Sequence, residues 1–62
     1  MLRLRRIAQK ISNTTPRDAD RYNQIYAIKQ ELIANGSDIL ATDRETIDNI
    51  LDILFNEYGF RP

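Results

Sequence analysis

The stretch ATDRETIDNILDILFNEYGF, Ala41 to Phe60, constrains this chain most, because its apolar residues take up more of a helix than one neighbour can cover. At about 100° per residue, Ile47, Ile50, Leu51, Leu54 and Tyr58 share one side, and Ile53 and Phe55 widen that stripe to roughly 200°. A surface helix ordinarily needs an apolar stripe only a little over ~100° wide. The segment before it has the same excess. Tyr22, Ile25, Tyr26, Ile28, Leu32 and Ile33 span about half the circumference by the same rotation per residue. Lys29 lies among them, with a stem long enough to carry its ammonium out to water.

The chain has 62 residues with which to cover this surface, close to the lower limit at which one apolar core offsets chain entropy unaided. It contains no Cys, so no disulfide can help, and no His, so the two commonest transition-metal ligands are both missing. Burial against a partner is the remaining source of stability. The pattern predicts an all-α single helical domain over 1–62. It consists of a short basic N-terminal helix plus an antiparallel hairpin of two longer helices, about 16–35 and 43–58. Dimerisation would complete it as a four-helix bundle. The residues expected at that interface are Tyr22, Ile25, Tyr26, Ile53, Phe55 and Phe60. The competing arrangement is a monomeric three-helix domain in which Ile39, Leu40 and the first helix fold over both long helices.

Local signals place the helix ends. From Leu2 to about Ser12, Leu4, Ile7, Ala8 and Ile11 follow helical spacing, with Arg3, Arg5, Arg6 and Lys10 on the opposite side. Pro16 disfavours helix at Thr15 and has no amide hydrogen to donate, so the first helix must end before it. Thr15 as N-cap, Pro16 in the first helical position and Asp18 in the third predict that the second helix starts there. Asn35-Gly36 closes it, since both residues tolerate left-handed backbone. Thr42 and Glu45 form a capping box for the third helix, and Ser37 is placed to cap a short turn that packs Ile39 and Leu40 inward. At the far end Gly59 and Phe60 predict a Schellman closure.

Charge is unevenly distributed although the totals cancel. Residues 1–21 carry six basic and two acidic side chains, a net +4, and residues 22–62 carry three basic and seven acidic ones, a net −4. Such halves either pair with one another within the molecule or create an anion-binding end, and the first is the commoner outcome. In the second case Arg3, Arg5, Arg6 and Lys10 are the candidate nucleic-acid contacts. The acidic third helix would be repelled from a major groove, so the first helix would have to make those contacts alone. The same helix is too short, and too poor in aromatic anchors, for firm membrane binding.

No catalytic constellation stands in the sequence. Acid–base chemistry without His or Cys would fall on carboxylates, Lys29 or a Tyr, none of them with a pattern that would perturb it, so no enzyme activity is expected. There is no glycine-rich phosphate loop, and no cofactor or metal is expected. Glu45, Asp48 and Asp52 form a polar row on the third helix that is either a solvated surface or an acidic face for docking on a basic partner. No continuous apolar run suggests a membrane span, and a cytoplasmic location is the default expectation. The reading is a small regulatory or adaptor protein acting through association with itself or a larger partner; a nucleic-acid-binding regulator is the alternative.

Overall fold

The computed structural model describes residues 4–36 and 44–62, which form three helices: α1 (Leu4–Thr14), α2 (Arg21–Ala34) and α3 (Arg44–Tyr58). The expectations for Arg3, for the Thr42 half of the capping box and for the Ser37 turn with Ile39 and Leu40 lie outside the described residues. The all-α class stands, and no strand occurs among the described residues.

In α1 the apolar spacing read from the sequence becomes one buried face, formed by Ile7, Ala8 and Ile11, with Leu4 packed at its edge. Arg5, Arg6 and Lys10 point to solvent. The helix continues to Thr14, past the predicted Ser12, because the Thr15 amide still donates to the Ile11 carbonyl at 2.8 Å. Ser12, buried on this helix, satisfies its hydroxyl by donating to the Gln9 carbonyl at 2.6 Å.

The start of α2 corrects the sequence reading. Thr15, Pro16 and Asp18 meet the local rules for a helix N-terminus, yet the N-cap is Asp20, whose Oδ1 accepts the Asn23 amide at 2.8 Å. Tertiary bonds explain the delay. The Arg17 carbonyl accepts the Arg61 amide at 2.9 Å, and a helix begun at Pro16 would draw that carbonyl into its own ladder. Ala19 instead donates to Pro16 across a turn at 3.1 Å. The other end behaves as expected: Asn35 donates to the Glu31 carbonyl through both its amide, at 3.0 Å, and its side chain, at 2.7 Å. Gly36 then adopts φ +82°, which an L side chain rarely does.

At the end of α3, Gly59 has φ +72° and the chain turns back, as its sequence suggests. The Phe60 amide reaches the Leu54 carbonyl at 3.0 Å, one residue farther back than the Schellman bond that was expected. Arg17 completes this terminus by donating Nε to the Tyr58 carbonyl at 2.8 Å, a cation where the helix dipole favours one. Its guanidinium carbon lies 5.8 Å from the Phe60 ring centroid.

All three helices and Phe60 meet in one core. Ile7, Ala8 and Ile11 pack with Ile28 and Leu32 of α2 and with Ile47, Ile50, Leu51 and Leu54 of α3. One wall of that core, which the sequence leaves either to a partner or to the first helix, is supplied here by α1. The short helix α1 makes the most extensive contact with α3, more than α2 makes, and Phe60 folds under the bundle at 1% exposure. Each fully buried side chain of this size contributes about 1.5–3 kcal/mol of transfer free energy, so a small chain gains much by closing its own core. The apolar girth of α3 is thereby largely covered: Ile53 packs against the core and Phe55 alone stays half exposed.

Candidate functional site

Among the described residues, the large apolar side chains that the fold leaves uncovered lie mainly on α2. Ile28 and Leu32 are buried completely, and Gln24 beside them is buried with its Nε2 donating to the Ala19 and Arg61 carbonyls, both at 2.7 Å. About 140° away around the helix, Tyr22, Tyr26 and Ile33 lie within roughly 40° of one another. They are 77%, 58% and 45% exposed, values that place all three outside the core. Lys29 falls in the same stripe, exposed and without an ion pair among the described residues. The order Tyr22, Tyr26, Lys29, Ile33 advances by four, three and four residues, the spacing of a coiled-coil seam. On one flank the stripe is bordered by Asn23 and Gln30, both exposed and uncharged, and on the other by Ile25, which turns partly into the core.

Each residue expected at an interface now has a place. Tyr22, Tyr26 and Phe55 are surface residues, Ile25 and Ile53 are partly buried against the core, and Phe60 is a core residue with no surface to offer. Ile33, which the sequence reading left off the interface, joins Tyr22 and Tyr26. Its signal was available, since it stands seven residues beyond Tyr26 on the same line.

Phe55 belongs to a different feature, a cleft of about 350 Å³ between the start of α2, α3 and the C-terminal tail. Arg21 and Asp48 face each other across it at 3.8 Å, and Asp52, Arg61 and Leu51 add to its lining. Its rim mixes both signs of charge, and Arg44 also approaches Asp48 at 3.8 Å. Of the acidic row Glu45, Asp48 and Asp52, then, the middle carboxylate is held by two arginines while the outer two face solvent. No three acidic residues gather into a possible metal site among the described residues.

The basic N-terminal face is likewise turned partly inward electrostatically. Arg5 Nη1 contacts both Glu57 carboxylate oxygens, at 2.6 and 2.7 Å, and Lys10 approaches Glu31 at 3.7 Å. Arg6 is exposed and unpaired among the described residues. The basic first third and the acidic remainder of the chain therefore meet through Arg5–Glu57, Lys10–Glu31 and Arg21–Asp48. Each such exposed pair contributes only about 0–1 kcal/mol, so they set surface charge more than stability. No helix among the described residues is long and apolar enough to cross a membrane. No known protein family, curated protein or solved structure matches this chain.

Proposed function

We propose that this chain is a small non-enzymatic adaptor or regulatory module that works by protein–protein association through the outer face of α2. The observation that carries the reading is the exposed line Tyr22, Tyr26 and Ile33 on a helix whose other side is already packed in a closed core. Scattered exposed apolar residues are ordinary, but two aromatics and an isoleucine aligned along one helix form a patch of the kind that marks association surfaces. Tyr suits this use, because its ring offers area at low entropic cost and its hydroxyl meets water or a polar rim. The non-enzymatic part of this reading is supported by a chain that has neither His nor Cys to serve acid–base or nucleophilic chemistry.

The nucleic-acid reading has less behind it, since Arg5 and Lys10 are partnered by Glu57 and Glu31 and leave Arg6 as the free cation among the described residues of that face. The acidic-docking reading loses Asp48 in the same way. The test is a photo-crosslinking phenylalanine analogue placed at Tyr26 in the source cell, with Asn13 on the exposed side of α1 as control position. Protein adducts at position 26 and not at 13 are the expected outcome; equal labelling at both positions, or none at either, refutes the assignment of this face.

A further inference from the structure

Resting on the reading of α2 as the association face, we infer that its partner is a second copy of this chain. The two α2 helices lie antiparallel about a two-fold axis that passes between Tyr26 and Lys29. The pattern is self-complementary in that orientation. Reversing one helix sets Tyr22 against Ile33 of the mate and Tyr26 against Lys29 of the mate, and symmetry then repeats both pairs. The first pair buries an aromatic ring on a branched aliphatic side chain. The second places an ammonium that has no ion pair among the described residues over a tyrosine ring, a cation–π contact. A parallel pairing in register would instead bring Lys29 against Lys29 in the middle of the seam, where like charges repel.

A further feature favours the same arrangement: Asn23 and Gln30, bordering the stripe, are neutral amides that meet across an antiparallel seam and can pair as donor and acceptor, so no charge is buried at the edge. The contact is small. Two tyrosines, an isoleucine and a lysine stem cover on the order of 400 Å² per copy, about half of the ~800 Å² per partner of a standard stable interface. The dimer is therefore weak and reversible, with a dissociation constant on the order of 10–100 µM.

Sedimentation equilibrium of the whole chain from about 10 µM to about 1 mM reads this directly. The expected result is a reversible monomer–dimer equilibrium whose dissociation constant rises about tenfold or more in Tyr26→Ala and stays unchanged in Phe55→Ala and Arg6→Ala. Circular dichroism on Tyr26→Ala should show unaltered helix content, since the residue lies outside the core. Orientation is read by mixing Asn23→Cys chains with Gln30→Cys chains, which add the only thiols to a chain that has none, and oxidising them gently. A predominant mixed disulfide supports the antiparallel seam, and predominant like-with-like disulfides overturn it. A folded wild type that stays monomeric at the highest concentration overturns self-association. So does a dimer weakened by Phe55→Ala and indifferent to Tyr26→Ala. If crosslinking at position 26 still yields specific adducts of another mass in those cases, the association reading survives and only the identity of the partner falls.

Discussion

α1 and α2 are both built from helical repeats of apolar residues, yet they relate to the fold differently. Every described apolar position of α1 is buried or packed at the core edge, and its remaining surface is polar. In α2 two separate apolar lines run along the helix: Ile28 and Leu32 turn inward, while Tyr22, Tyr26 and Ile33 turn outward. A helix with one apolar side is accounted for once it has folded. A helix with two has a side that folding does not consume, and that surplus separates what holds this molecule together from what we propose it offers to a partner.

The contrast between the two sides of α2 is broken most directly by truncating each in turn. Leu32→Ala should cost about 2–5 kcal/mol of unfolding free energy, a large share of what so small a domain possesses. Tyr26→Ala should stay within about 0.5 kcal/mol when measured at concentrations below the dissociation constant of the proposed dimer. Chemical denaturation of both variants tests the pair, and comparable losses would mean that the outer line is structural after all. Next in size is Gln24→Leu, which leaves the Ala19 and Arg61 carbonyls without their donor and should destabilise by about 1–3 kcal/mol. Amide exchange should then accelerate first in the tail around Arg61, whose amide is tied to Arg17.

A smaller effect sharpens the difference between how α1 ends and how α2 begins. Asp20→Ala should lose about 1 kcal/mol of stability and Thr15→Ala no more than about 0.5 kcal/mol, the reverse of what the local sequence around Pro16 predicts. Thermal melts at fixed concentration distinguish the two orders. The smallest change is expected for Arg5→Ala, which removes the exposed pair with Glu57 and should cost about 0.2–1 kcal/mol at low ionic strength. That difference should largely vanish in about 1 M salt, where the Debye length falls to roughly 3 Å; a loss indifferent to salt would point to packing of the arginine stem instead.

Much of the architecture is legible because it follows from short-range rules. The buried face of α1 and the inward side of α3 follow from residue spacing, and the helix ends at Gly36 and Gly59 from the positive φ that both glycines adopt. What escapes is decided by residues far apart in sequence. Thr15, Pro16 and Asp18 satisfy N-terminal rules better than Asp20 does, and they lose because Arg17 is bonded to Tyr58 and Arg61. Gln24 reads as an ordinary polar position; only its place one turn before Ile28 hints at burial, and its two acceptors cannot be guessed from it. Of the candidate site, the tyrosines are legible as surplus apolar surface, but the sequence ranks Phe60 beside them although its ring closes the core.

The sequence by itself determined that this protein is helical and that its long helices carry more apolar surface than one neighbour can cover, because side-chain periodicity is a local property of the chain. Only the tertiary structure decided which part of that surface is left over. The same rotation per residue serves Leu32 and Ile33 alike, and it is the docking of α1 and α3 on one side of α2 that buries the one and leaves the other facing water.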